Sequence, residues 1–167
     1  MKMNPKSKRY FTTVETPLGK AYLVGDAIGL TAFTVGEIVS SALCNKELPP
    51  YFDEAIKQVK EYFDGRRKTF DLPLHPSGTS FQKKVWAALS KIPYGQTVSY
   101  LDVAKQLGDP KVIRAAASAN GKNPLWIIVP CHRVIGSDGS LTGYAGGLWR
   151  KKWLLEHESP YTQQRLF

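Results

Sequence analysis

Residues 129–136 read VPCHRVIG, which sets Cys131 between a proline and a histidine and follows them with Arg133. A thiol becomes a strong nucleophile only as the thiolate. Free cysteine titrates near 8.5, and lowering that value to about 7 raises the ionised fraction at neutral pH more than tenfold. An adjacent base such as His132, or the positive charge of Arg133, is the kind of neighbour that produces this shift. In a regular strand Cys131 and His132 would point to opposite faces, because side chains alternate with period two. Pro130 favours a departure from the strand, and a turn just after it would bring thiol and imidazole to one cavity. Taken alone, the dipeptide is also readable as a buried, inert cysteine.

Several elements would have to hold that pair. Upstream, LWIIVP reads as a short buried strand that ends at Pro130. Further back, Ser99 followed three residues later by Asp102 forms an N-terminal cap arrangement. Leu101, Ala104 and Leu107 supply the apolar stripe, and Gly108 can end the helix in the left-handed conformation. Asp109 and Pro110 then start a second helix as cap and first residue. Two short helices joined by a tight turn containing glycine are the signature of a helix-turn-helix. On the second helix Val112, Ile113, Ala116 and Asn120 fall on one side. Lys111, Arg114, Ala115 and Ser118 fall on another, which pairs two long cations with two small residues. Such a face suits a groove of DNA, where small residues let the backbone approach and cations meet phosphates or reach inside. An alanine-rich helix with a solvated basic face fits that helix equally well when it is viewed by itself.

Before this module, TSFQKKVWAALSKI places Phe81, Val85, Trp86 and Leu89 on one helical face. The turn-rich LPLHPSGTS marks a boundary near residues 74–79, dividing the chain into residues 1–76 and 77–167. In the first part RYFTTVET, KAYLVGD and AIGLTAFTV predict an antiparallel meander. PYFDEAIKQVKEYFDG then predicts a helix with Phe52, Ile56, Val59 and Phe63 at its spacing, between Pro50 and Gly65. The fold class is mixed α/β, of the α+β kind. Nothing in the first part resembles a nucleophile, metal site or phosphate loop, and Cys44 in SSALCNKELPP reads as a spectator thiol.

The charge is uneven. Residues 1–79 carry 11 Lys and Arg against 9 Asp and Glu, whereas residues 80–167 carry 12 against 5. Excess positive charge on one half is the footprint expected of a polyanion binder, although a basic surface also serves solubility. The first ten residues hold charge without an apolar run, and LWIIV is far too short to span a bilayer. The expectation is a cytoplasmic protein without a membrane partner, with two free cysteines. His75, His132 and His157 lie far apart, so no metal site is expected.

The segments GTSFQKKVWAALSKIPYGQTVSY, the helix with Arg114, NGKNP, PCHRVIG and GSLTGYAGGLWRKKWLLEHE run in order from Gly78 to Glu158. In them the chain resembles the O6-alkylguanine-DNA alkyltransferase family in its short, bacterial-type form. The resemblance implies a ribonuclease H-like first domain and a helix-turn-helix, winged-helix-like second domain that carries the active cysteine. It implies a DNA repair reaction in which an O6-alkylguanine, and also an O4-alkylthymine, is flipped out of duplex DNA. Its alkyl group passes irreversibly to Cys131, one per molecule, and no cofactor takes part.

Under that resemblance His132 is the general base, acting through a water, and Glu158 is the carboxylate that orients the imidazole. Asn123 ties the recognition helix to the active-site strand, and Tyr100 contacts the target nucleotide. Arg114 is the finger that enters from the minor groove and fills the gap left in the base stack. Tyr144 and the backbone of Gly143, Ala145 and Gly146 form a lid, and the carbonyls of Cys131 and Val134 accept from the guanine amino group. Some members carry serine where this chain has Ala145. Trp126 and Thr142 are bulkier than their counterparts elsewhere, which predicts a preference for methyl over benzyl adducts. The expected partner is double-stranded DNA, bound by a monomer. Two alternatives stand beside this reading: a non-catalytic lesion sensor, and a cysteine hydrolase built on Cys131 and His132.

Overall fold

The structure, a computed structural model, describes residues 8–36 and 43–159. The leading MKMNPKS and residues 37–42 of the polar connection before Cys44 lie outside the described residues. The chain divides into two compact units, residues 1–77 and 78–167.

The first unit is a meander with one helix. Strands β1 (Tyr10–Thr16), β2 (Gly19–Gly25) and β3 (Leu30–Val35) pair antiparallel in the order β1-β2-β3. The first hairpin closes at Thr16, whose hydroxyl donates to Gly19 O at 2.7 Å, while Gly19 takes the positive φ of 120° that glycine permits. After the second strand, Asp26 Oδ1 accepts from the backbone N–H groups of Ile28 and Gly29. The chain returns at residues 73–75 to bridge Leu30, and a Cβ at Gly29 would stand only 2.6 Å from Pro73 O.

Helix α1 (Tyr51–Phe63) buries Phe52, Ala55, Val59 and Tyr62. Ile56 and Phe63, placed on the buried stripe by spacing, are only half-buried. The contact face is turned toward Ala55 and Tyr62, both fully buried. Gln58 is admitted to it because its amide both donates to Asp71 O and accepts from Asp71 N. Burying each such aromatic ring contributes roughly 1.5–3 kcal/mol.

The second unit holds helices α2 (Ser80–Leu89), α3 (Tyr100–Gln106), α4 (Ile113–Gly121) and α5 (Leu148–Glu158). Thr79 with Gln82 and Ser99 with Asp102 form reciprocal capping boxes at the starts of α2 and α3. Gly108 turns the chain at φ 99°, and Asp109 caps a single 3-10 turn, Pro110–Val112, that leads into α4. The helix-turn-helix pair is therefore α3 and α4. Trp86 Nε1 donates to Ala119 O at 2.9 Å and fastens α2 to α4. Strands β4 (Val98–Ser99) and β5 (Val134–Ile135) form a two-residue parallel pair. Of the four apolar residues assigned to the α2 face, Val85, Trp86 and Leu89 are buried and Phe81 is half-buried.

LWIIVP is not a strand. Residues 125–130 fold as successive turns, with Ile128 N bonded to Trp126 O and Val129 N to Leu125 O. Leu125, Ile127, Ile128 and Val129 are all buried, so the apolar run marked burial correctly but not conformation. Asn123 determines the difference: its Nδ2 donates to Val129 O at 2.8 Å and to Leu125 O at 3.3 Å, and its Oδ1 accepts from Leu125 N. The coil satisfies its backbone groups through these bonds instead of a ladder. Ile127 adopts φ 72°, which costs a β-branched residue about 1–3 kcal/mol.

Candidate functional site

The coil delivers the chain to Pro130, after which Cys131–Arg133 makes one 3-10 turn. Three residues per turn spread consecutive side chains around an axis, so the thiol and imidazole are released from opposite faces. All three side chains are buried, His132 completely. Helix α5 approaches from the other side and ends on Glu158. Glu158 Oε2 meets His132 Nε2 at 2.8 Å. The same carboxylate accepts from Arg133 Nε at 2.8 Å and from Arg133 Nη2 at 3.0 Å, and Nη1 of that guanidinium donates to Ile92 O. A carboxylate at a helix C-terminus opposes the helix dipole, and the two-pronged arginine offsets this.

Burial alone would raise the Glu158 carboxyl. The hydrogen bonds from His132 and Arg133 outweigh burial and hold it well below the usual carboxylate range. Burial pushes the His132 imidazole down, against the opposing bond to Glu158, so the ring is neutral at pH 7. An ionised carboxylate only accepts, which places the imidazole proton on Nε2 and leaves a lone pair on Nδ1. That Nδ1 is buried and has no hydrogen-bond partner among the described residues. Burial also pushes the Cys131 thiol up, while a hydrogen bond from Asn123 and the charge of Lys151 pull it down. A neutral thiol, a free imidazole lone pair and an ionised carboxylate form the order nucleophile, base, orienter.

The same unit holds a cavity of about 700 Å³. Its walls are Ile113, Arg114, Ala117 and Gly121 from α4, Tyr100 from the start of α3, and the loop residues Thr142 to Ala145. The volume suits a small planar ligand such as a nucleobase. Tyr100 donates its hydroxyl to Thr142 O at 2.9 Å, which joins the helix-turn-helix to the loop. Burial raises both Tyr100 and Tyr144, and a negative charge on Cys131 would raise each of them further. Lys111, in the turn that leads into α4, and Arg114, Ala115 and Ser118 on its outer surface are all exposed.

The comparisons with known proteins agree with this geometry. Residues 9–76 match the ribonuclease-like domain, and residues 80–160 the DNA-binding domain, of 6-O-methylguanine DNA methyltransferase. The chain belongs to the 6-O-methylguanine DNA methyltransferase family. A methylated-DNA–protein-cysteine methyltransferase of Methanosarcina acetivorans is 48% identical over 155 residues, covering 89% of this chain and 97% of that protein. The constitutive enzyme of that name from Bacillus subtilis is 48% identical over 82% of this chain and 87% of its own. The crystal structure of Mycobacterium tuberculosis OGT in complex with DNA aligns with a TM-score of 0.83 at 42% identity, covering 95% of this chain and 99% of that one.

Within the chain, the structure groups the residues singled out in the sequence unevenly. Cys131, His132, Asn123 and Glu158 converge in the buried cluster, and Tyr100, Arg114, Tyr144 and Ala145 reach the cavity. Trp126, Val134 and Gly146 do not line it. Trp126 instead backs Tyr144, ring centroids 5.7 Å apart, and a Cβ on Gly146 would strike both rings. Two residues escaped the sequence reading. Arg133 was credited only with local charge, yet it is the second partner of Glu158. Lys151 was overlooked, although its spacing to Leu154 and Glu158 puts two charged residues on the buried face of α5, a signal visible in the sequence. Among the described residues no three His, Cys, Asp or Glu cluster as metal ligands, and no helix is long and apolar enough to cross a membrane.

Proposed function

We propose that the protein repairs O6-alkylguanine in duplex DNA by moving the alkyl group to Cys131, which ends as a thioether. The observation that carries this reading is the buried cluster of Cys131, His132 and Glu158 in the same unit as a cavity walled by Tyr100, Tyr144 and the Arg114 helix. The names of the relatives, methylated-DNA–protein-cysteine methyltransferases, support the same activity.

In the mechanism His132 Nδ1 takes the thiol proton through a water, while ionised Glu158, held by Arg133, stabilises the imidazolium that forms. The thiolate attacks the saturated carbon attached to O6, and the carbon–oxygen bond breaks toward the guanine. Tyr100 and Tyr144 stand at the cavity wall, where the leaving base would be held. A base inside a stacked duplex is out of reach, so it must be flipped into the cavity. Arg114, exposed and at the cavity wall, would occupy the gap. The small Ala115 and Ser118 beside it suit approach through the minor groove, and the reading takes the protein to act as a monomer.

Intact-protein mass spectrometry after mixing with a stoichiometric duplex containing one O6-methylguanine tests the reading. One added methyl group on Cys131, with no further uptake from excess DNA and none in Cys131→Ala, is the expected result. Tight lesion binding without a mass change would make the protein a sensor instead. Neither binding nor transfer would return attention to a hydrolase.

A further inference from the structure

Among the described residues, three buried side-chain atoms lack a hydrogen-bond partner: Thr31 Oγ1, His132 Nδ1 and Asn120 Oδ1. Thr31 belongs to the first unit, and His132 Nδ1 already serves as the base in the proposed mechanism. Asn120 is left over. It lies in the last turn of α4 and is 3% exposed. A buried amide oxygen without a partner has given up its bonds with water for nothing, so its presence there needs a reason.

Its place on the helix supplies one. Ile113, Ala117 and Gly121 of α4 line the cavity. Asn120 stands one turn after Ala117, two turns after Ile113 and next to Gly121, so it borders that stripe on the side toward the buried Ala116 and Ala119. Apart from Arg114, the lining that α4 contributes is apolar. The backbone of Asn120 also joins it to the segment that carries the thiol. Asn120 O accepts from Asn123 N at 3.3 Å, and the Asn123 amide donates to Leu125 O and Val129 O in the coil that runs to Cys131. In the alkyl-transfer reading, the part of the substrate that must reach Cys131 is the alkyl group.

We propose that Asn120 is a specificity-determining residue that meets the alkyl group itself and favours adducts carrying a hydroxyl, such as 2-hydroxyethyl, over apolar adducts of the same size. The inference rests on the alkyl-transfer reading. An amide accepts at its oxygen and donates at its nitrogen, whereas a hydroxyl does both, so a hydroxyl fits whichever end of the side chain turns toward the cavity. A propyl group of the same length leaves the amide oxygen unpaired. Sites that hold a polar group for a ligand hydroxyl discriminate against the analogue without one. The bonds made and broken are those of methyl transfer. The sulfur electron pair forms the bond to the alkyl carbon, the carbon–oxygen bond breaks with its pair going to the guanine, and the hydrogen of the thiol ends on the guanine. The product is a 2-hydroxyethyl thioether of Cys131.

Single-turnover transfer followed by intact-protein mass spectrometry tests this, with duplexes that carry O6-methylguanine, O6-(2-hydroxyethyl)guanine or O6-propylguanine at the same place. The methylated duplex reads the underlying reaction, so its failure is visible separately. The two larger adducts differ in intrinsic reactivity, and that difference cancels when the ratio of their rates is compared between proteins. The hydroxyethyl-to-propyl ratio should be about tenfold higher in the wild type than in Asn120→Leu, the worth of one hydrogen bond. Asn120→Ala, which only removes atoms, should show the same fall. Both rates come from one preparation of each variant, so a smaller folded fraction divides out. Equal ratios in the wild type and both variants would overturn the proposal. A fall confined to one of the two variants would assign the effect to space in the cavity wall and overturn it as well.

Discussion

His132 presents Nε2, not Nδ1, to Glu158, at 2.8 Å. Because Glu158 stays ionised, that contact fixes the tautomer and leaves Nδ1 as the only basic site on the ring. Replacing His132 with alanine should slow Cys131 alkylation by about 10²–10⁴-fold at neutral pH, the range of general base catalysis. Single-turnover rates across pH check this; a profile unchanged from the wild type would contradict the relay.

Glu158→Gln removes the charge and keeps the shape. It leaves Arg133 buried beside a neutral amide, and an uncompensated buried charge of this kind costs about 3–5 kcal/mol. Urea unfolding of the variant should show that loss. Adding Arg133→Met to the same variant should recover part of it, because the orphaned guanidinium is then gone.

The lowered pKa of His132 carries a sign for stability against pH. The unfolded chain takes up the proton near the ordinary value of about 6.5, while the folded protein resists it. Stability is intact above that value and falls as the pH drops toward the lowered folded value, by up to about 1.4 kcal/mol per pH unit. Unfolding free energies measured from pH 7.5 to 5 should show this slope in the wild type and a shallower one in His132→Gln.

Arg114 is exposed, so Arg114→Ala should leave folding within about 0.5 kcal/mol of the wild type. Its effect belongs to the duplex. Extruding a base costs a few kcal/mol, and each 1.4 kcal/mol is about tenfold in rate or affinity. Transfer from duplex DNA should fall by at least that factor, while reaction with free O6-benzylguanine stays the same. Equal losses in both assays would argue against a role in flipping.

Trp126 acts on the cavity through Tyr144, against which it packs, whereas Thr142 lines the wall directly. Trp126→Ala should let the Tyr144 ring retreat and raise the rate with O6-benzylguanine relative to O6-methylated DNA. Comparable rates for the two substrates in the wild-type protein would show that these side chains set no limit on size.

Much of this arrangement was legible in local chemistry. Caps and turns are short-range signals, so Ser99 with Asp102, Gly108 and Asp109 placed the helix-turn-helix directly. The exposed face of α4 followed from its spacing. Residues 125–130 failed for a physical reason: an apolar run reports burial, and only Asn123, reaching across to Val129 O, shows that the backbone is satisfied without a strand. The pairing of Arg133 with Glu158 is closed by tertiary structure across 25 residues, and no pattern in the intervening sequence encodes it. Lys151 was the avoidable omission, since a lysine seven residues before Glu158 shares its buried face.

The burial of the His132, Arg133 and Glu158 cluster has a further consequence when set beside the exposure of Lys111 and Arg114. Mobile ions cannot enter the cluster, and its short contacts lie well inside a Debye length of about 8 Å at physiological ionic strength. The outer cations face solvent, and in the proposed function they would meet DNA in competition with those ions. Added salt should therefore weaken capture of the duplex steeply while leaving the reactivity of Cys131 toward a free base almost untouched. Ionic strength alone divides finding the lesion from removing it.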